Sequence, residues 1–292
     1  MFYSVKYHYL NFAGARVPYR ESFNRGGIQN PKLIVLHDTA SPPGAKGDID
    51  WLTRKNGNSS AHLVVDLDGN VTQLVPFKLQ AWHAGKSVYK GEANVNRFSI
   101  GIEIDNPGKM TLAGGTNDNV LSAKMWTGAT IGQLPQQRLL FRQTPQHGAG
   151  IWQEYTPSQI SAVKDICTAL CAEYPIEDIT THWFISPGRK VDTNPLFPLE
   201  EVRSAALGRK NASGSPRVRT IVETNARAWP HPDSKIIGTI PKGREVEVIR
   251  SGYFDTPMGH NQWHLIRNVP TEKGEGRTFE GWVCSLYTED VA

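Results

Sequence analysis

Lys32-Leu-Ile-Val-Leu-His37 is a short run of branched apolar residues that ends on a histidine. With no polar residue alternating through it, the run has the pattern of a strand buried on both faces, which calls for a sheet with layers of helix against it and an α/β fold. His37 then stands at the carboxyl end of that strand, just before the turn-forming Ser41-Pro42-Pro43-Gly44.

Upstream, residues 1–30 lack a clean period and contain Gly26-Gly27, so the sequence predicts an irregular arm with one short strand. Downstream, Asp48 is placed to cap a brief helix through Trp51 and Leu52 that ends near Gly57. Residues 61–66 and 71–75 read as a hairpin about Asp68-Gly69, and residues 98–104, Phe-Ser-Ile-Gly-Ile-Glu-Ile, as a third strand. Residues 106–153 are rich in Gly, Thr, Asn and Gln and read as loop, long enough to be functional or mobile. Thr156-Pro157-Ser158-Gln159 then combines a capping box with proline at the first helical position. Ile160, Val163, Cys167, Leu170, Cys171 and Tyr174 share one face of that helix until Pro175 stops it. A strand over residues 178–181 delivers His182, and Pro198 opens a last helix that stops at Gly208.

Asn211-Ala-Ser-Gly-Ser-Pro216 has linker composition and divides the chain into a domain over residues 1–208, a linker over 209–216 and a domain over 217–292. In the second, short alternating segments at 218–222, 235–239, 245–249, 263–266 and 281–285 indicate a small all-β barrel. One large and one small domain suit 292 residues.

Composition narrows the function classes. The net charge of +4 is mild and the Lys and Arg residues are scattered, which excludes a nucleic-acid stripe. No apolar run is long enough to span a bilayer. The start, Met-Phe-Tyr-Ser-Val-Lys-Tyr-His, has no apolar core of a secretory signal, so action outside the cytoplasm would require release by lysis or another export route. Cys167, Cys171 and Cys284 are odd in number and argue against a disulfide framework. Cys167 and Cys171 have a spacing that could bridge a metal, but small apolar core residues of a reduced protein are the simpler reading.

Chemistry gathers at Ile179-Thr-Thr-His182-Trp-Phe-Ile-Ser-Pro187-Gly188-Arg189-Lys190-Val-Asp192. A catalytic zinc takes about three protein ligands and leaves a fourth position to water. His182 and Asp192 offer two, and His37 is the best third because a strand end aims its side chain rigidly. Lys190 can reach the oxygen that becomes negative when water attacks a carbonyl. Glu103 is an acid inside an apolar strand, where an unpaired carboxylate is costly. It reads either as a core acid paired with Arg97 or Arg189, or as the base that takes a proton from the attacking water. His62, His147 and the remaining histidines read as structural.

Leu-His37-Asp-Thr-Ala, Ser60-Ala-His-Leu, Trp82-His83-Ala-Gly85, Ser99-Ile-Gly-Ile-Glu103, Trp152-Gln and His182-x4-Pro-Gly-Arg-Lys190-Val-Asp192 occur in this order. Together they resemble the zinc-dependent N-acetylmuramoyl-L-alanine amidases of the amidase-2 family, which also contains phage amidase lysozymes and peptidoglycan recognition proteins. The resemblance covers roughly residues 30–205. It implies one zinc per chain on His37, His182 and Asp192, Glu103 as the base or water-orienting group, and Lys190 as the oxyanion partner. It further implies a substrate groove lined by Trp82, His83 and Asn96, and hydrolysis of the amide between the lactyl group of N-acetylmuramic acid and L-alanine of the stem peptide. The family often reads Gly-His where this chain has Thr181-His182, and Asp-Pro-Gly-Pro where it has Asp192-Thr193-Asn194-Pro195.

The second domain, from Arg227-Ala-Trp229-Pro through Pro241-Lys-Gly243 to Gly281-Trp282-Val, resembles a bacterial SH3 domain with insertions after Gly252 and Val269. Such modules bind cell-wall polymer, which implies a tether that raises the local substrate concentration. The resemblance thus implies an enzyme acting at the cell wall on peptidoglycan or on muropeptides. A non-catalytic recognition protein that keeps the groove is the alternative, and a metallopeptidase cutting the cross-link is a third; a complete hydrolytic set favours the enzyme.

Overall fold

The computed structural model describes residues 2–117, 120–135, 138–208, 216–268 and 279–291. The chain falls into two compact units, Met1–Ser87 with Asn94–Arg142 and Ala149–Lys210, and Val88–Ala93 with Gln143–Gly148 and Asn211–Ala292. Of the linker expected over 209–216, only Pro216 lies among the described residues.

The N-terminal segment is more ordered than its sequence predicts. Strands β1 (Tyr3–Lys6), β2 (Tyr9–Phe12) and β3 (Ala15–Arg16) form an antiparallel sheet whose Tyr3 and Leu10 enter the main core. The first turn carries positive φ at Tyr7 and His8, two residue types that give no turn signal, and this hid the hairpin. A fourth strand, β4 (Arg25–Ile28), follows.

Strand β5 (Leu33–Asp38) is buried along its whole length, as the opening run requires. Helix α1 (Ala45–Thr53) begins before Asp48, which corrects the expected cap: Gly44 N donates to the Asp105 carboxylate at 2.9 Å, so an acid from a distant strand end serves this helix start. Asp48 lies within the helix and accepts from Ser41 Oγ. Strands β6 (Leu63–Val65) and β7 (Val71–Gln73) make the expected hairpin, with Gly69 at φ 82° in its turn. Strand β8 (Leu79–Ala81) pairs with β4. Strands β9 (Val88–Tyr89) and β10 (Glu92–Ala93) form a small hairpin, and β11 (Ser99–Ile104) is the third expected strand.

Residues 106–153, read as loop, instead hold a five-stranded sheet. It comprises β12 (Met110–Asn117), β13 (Val120–Met125), β14 (Thr130–Pro135), β15 (Leu139–Thr144) and β16 (Gly148–Gln153), ordered β14-β13-β12-β16-β15. Its small core joins Met110, Ala123, Met125 and Ile131. Helix α2 (Pro157–Glu173) keeps its expected start, with Thr156 and Gln159 exchanging both capping-box bonds. Strand β17 (Asp178–Thr181), the short helix α3 (His182–Ile185) and α4 (Leu199–Leu207) complete this part.

The central sheet runs β17-β5-β11-β6-β7, parallel except for β7. Alternate residues of β5 and β11, among them Ile34, Leu36, Ile100 and Ile102, pack on Val163, Ile166, Cys167 and Leu170 of α2 and Val202 of α4. Cys167 is buried in that core and Cys171 packs against it, as the simpler reading holds. The other alternation carries His37 and Glu103, paired in register as neighbours on adjacent strands.

The second unit is an antiparallel sheet of β18 (Arg217–Thr220), β19 (Thr224–Arg227), β20 (Ile236–Ile240), β21 (Glu245–Thr256), β22 (Gly259–Asn268), β23 (Phe279–Cys284) and β24 (Thr288–Asp290). Their order is β20-β19-β23-β22-β21-β18-β24, and Val218, Ala226, Ile240, Val246, Ile266 and Val283 form the core. All five expected segments are strands, and the insertion after Gly252 is the prolonged β21–β22 hairpin. The insertion after Val269 lies outside the described residues.

Candidate metal centre

Parallel strands deliver the cluster. Thr181 of β17 lies level with Leu36, and Glu103 of β11 with His37, so the ends of three neighbouring strands bring His182, His37 and Glu103 to one sheet edge. The chain after α3 folds back through Gly188, at φ 77°, and Trp183 N donates to Asp192 O at 2.7 Å, which returns Asp192 to His182. The result is a tight triangle. His37 Nδ1 and His182 Nδ1 are 2.9 Å apart, His182 Nδ1 and Asp192 Oδ2 are 3.0 Å apart, and His37 Nδ1 and Asp192 Oδ2 are 3.2 Å apart.

The outer nitrogens of the two rings are held by the surrounding loops. His182 Nε2 lies 3.1 Å from Ala84 O, an acceptor, and 3.2 Å from Arg189 Nη2, a donor, so its neighbours suit either tautomer. For His37 a chain of bonds fixes the proton. Ser99 Oγ donates to Val95 O at 2.7 Å, so it accepts from His83 Nε2 at 3.1 Å; His83 Nδ1 therefore accepts from His37 Nε2 at 2.9 Å. The His37 Nδ1 lone pair, His182 Nδ1 and a carboxylate oxygen thus converge on one point. Two nitrogens and one oxygen within 4.8 Å of one another form a group that could hold a metal ion.

Electrostatics point the same way. Burial, with His182 beside it, pushes the His37 ring down to about 4, so it stays neutral and ready to ligate. Burial works to raise Asp192, but His182 and His37 beside it outweigh that and hold the carboxyl below its usual range. Glu103 is pushed well above the ordinary carboxylate range, first by burial and then by Asp192, Asp48 and Asp38, with Lys190 opposing. Its Oε2 is shut off from solvent without a hydrogen-bond partner among the described residues. Arg189, one of the partners the sequence offers it, gives Nη2 instead to Ala84 O, Lys86 O and Ser186 Oγ.

A cleft of about 490 Å³ opens over the cluster, and His37, Glu103, His182, Lys190, Asp192, Trp82 and His83 all line it. Trp82 is partly exposed on its wall, whereas both ring nitrogens of His83 are used in the chain to Ser99. Asn96 is not in the lining: its Oδ1 accepts from His83 N and Ala84 N, holding the loop that carries them.

Sequence reasoning missed a second set of supports. Buried Asp38 accepts from Tyr155 Oη and from Asn194 N, the latter at 2.8 Å, and Asn194 Nδ2 reaches Asn106 Oδ1 and Gln153 O. These bonds anchor the segment just after Asp192. The signal was present in Asp38 beside His37 and in Asn194 where the resembled family often has glycine, but the partners lie about 40 to 150 residues away. The cleft also takes Trp51 from α1 and Lys109 and Trp126 from the inserted-sheet region.

A family model described as N-acetylmuramoyl-L-alanine amidase matches residues 28–195, which hold the whole cluster. Over 207 residues the chain is 30% identical to the 1,6-anhydro-N-acetylmuramyl-L-alanine amidase AmpD of Citrobacter freundii, covering 65% of this chain and 88% of that protein. Over 188 residues it is 28% identical to the N-acetylmuramoyl-L-alanine amidase AmiD of Escherichia coli K12, covering 61% and 54%. A solved complex of Escherichia coli AmiD with anhydro-N-acetylmuramic acid-L-Ala-D-gamma-Glu-L-Lys aligns at a TM-score of 0.43 and 24% identity, covering 69% of this chain and 64% of that one.

Proposed function

This chain belongs to the N-acetylmuramoyl-L-alanine amidase family and hydrolyses the amide between N-acetylmuramic acid and L-alanine of peptidoglycan; we propose that it does so with one zinc ion held by His37, His182 and Asp192. The observation that carries the zinc reading is the pair of Nδ1 atoms 2.9 Å apart beside a carboxylate oxygen. Zinc held there would supply an acidified water and polarise the scissile carbonyl.

The remaining roles fall to residues of the chain. Glu103, whose burial and acidic neighbours raise its proton affinity, takes the proton of the attacking water and passes it to the departing L-alanine amine. Lys190, in the same cleft, faces the oxygen on which negative charge develops. No serine or cysteine nucleophile is needed. Trp82 offers an exposed ring to the substrate, while His83 and Asn96 shape the groove through the loop they hold. The second domain, over residues 217–292 after a linker at 209–216, is a bacterial SH3-like barrel that tethers the catalytic domain over 1–208 to cell-wall polymer; the seven-stranded sheet supports that assignment. The enzyme thus acts at the cell wall.

Dialysis against a strong chelator should abolish release of new N-terminal alanine from sacculi and from muropeptides, and added zinc should restore it. Full activity in metal-free protein would sink the zinc reading. In the same assay Glu103→Ala should bind zinc normally and lose at least about a hundredfold in turnover; a wild-type rate would make Glu103 structural.

A further inference from the structure

Four tryptophans line the metal cleft, and two of them project far more than indoles ordinarily do. Trp126, at the turn between β13 and β14, is 71% exposed, and Trp51 on α1 is 59% exposed. Neither is loose. Trp126 Nε1 donates to Ala40 O at 3.0 Å, which pins the ring to the cleft rim and uses its only polar atom. The Arg54 guanidinium lies 3.2 Å from the centre of the Trp51 ring and backs one of its faces. Both indoles are therefore positioned slabs that offer apolar surface beside the site, and exposed apolar surface continuous with a cleft marks a ligand groove.

We propose that Trp126 and Trp51 form a saccharide subsite that stacks pyranose rings of the glycan chain next to the muramoyl unit being cleaved. A pyranose presents C–H groups on its faces and hydroxyl and N-acetyl groups at its rim, so it stacks on an aromatic slab without needing a polar partner there. The stem peptide, by contrast, carries carboxylates and amides along its length, and Trp126, whose one donor is already taken by Ala40 O, gives these nothing to bind. The subsite is continuous with the metal cleft, so a chain seated on it has its lactyl amide within the same groove. The inserted sheet thereby acquires a purpose: it carries Trp126 to the rim. The enzyme accordingly favours polymer over the single-sugar product of prior glycan cleavage. This inference rests on the amidase reading above.

The test uses full-length, zinc-loaded wild type, W126A, W51A and W126F, with substrates of one, two, four and eight sugars bearing the same stem peptide. Wild type should show a higher kcat/KM on eight sugars than on one. W126A and W51A should each reduce that ratio about tenfold, through KM, and W126F should recover most of it. Calorimetric binding of a peptide-free eight-sugar chain should weaken about tenfold in W126A, a readout independent of hydrolysis. A ratio and a glycan affinity unchanged in both alanine variants would overturn the subsite while leaving the amidase reading intact, as would a defect that follows stem-peptide length. A wild type that binds the glycan but cleaves no substrate would overturn the amidase reading, and the substrate preference with it.

Discussion

His83 stands behind His37, one of the proposed metal ligands. A metal-bound imidazole is held in place by what its other nitrogen donates to, and His83 is that acceptor for His37, itself fixed by Ser99. His83→Ala should lower zinc affinity about 10- to 100-fold in a chelator competition, with Ser99→Ala lying between it and wild type. Gly101 belongs to the same device, since a Cβ there would fall 2.4 Å from the His83 ring. His62 supplies a pH signature of a different kind. It is fully buried, its Nδ1 accepts from Gly101 N and its Nε2 donates to Leu79 O, and burial depresses its pKa to about 4. The folded state thus favours the neutral ring: the contribution is complete above about pH 6.5 and is lost as pH falls toward 4, at up to about 1.4 kcal/mol per pH unit. Urea titrations across that window should show one proton fewer in the slope for His62→Gln. The three residues of the cluster stood out in the chain, because a histidine or acid at the end of an apolar run is conspicuous. Their supports were not, because Ser99, Ala84, Tyr155 and Asn194 become partners only once strands and loops are placed.

Elements were legible where their signals are local. Thr156, Pro157 and Gln159 mark the start of α2 within four residues, and the structure returns both reciprocal bonds. Thr156→Ala should cost about 1 kcal/mol in thermal or urea unfolding, since it orphans the Gln159 N–H and also releases Leu67 O, to which Thr156 Oγ1 donates. A variant as stable as wild type would mean that water replaces the cap. The inserted sheet was illegible for the converse reason. Its strands are full of Gly, Thr, Asn and Gln, its bulged register between β12 and β13 breaks the alternation of two, and its ladder bonds join residues that no short window compares. The same holds for Asp105, which serves α1 from the end of β11, about 60 residues away.

At the scale of the molecule, the two units have separate hydrophobic cores, centred on Ile34 and Ile102 in one and on Val248 and Ile266 in the other. The proposed metal ligands His37, His182 and Asp192 belong wholly to the first unit. Zinc at a hundred times its dissociation constant should therefore add about 2.7 kcal/mol to that unit alone. Calorimetry of metal-free and zinc-loaded protein should show one transition rising and the other fixed; equal movement of both would place metal-linked stability elsewhere. The compositional break at residues 211–216 predicts a division there, whereas the assignment of residues 88–93 and 143–148 to the second unit has no local sequence signal, since only three-dimensional proximity groups them with it.

The register that sets Glu103 level with His37 has one more consequence. Neighbouring strands are about 4.8 Å apart in every sheet, a spacing dictated by peptide hydrogen bonding and indifferent to side chains. The backbone thus acts as a ruler between Glu103 and His37, the proposed proton acceptor and metal ligand, and no loop can stretch or shorten it. Loops around the cleft are free to diverge, lengthen or be exchanged by an engineer to suit new substrates, while the reactive core keeps its calibration.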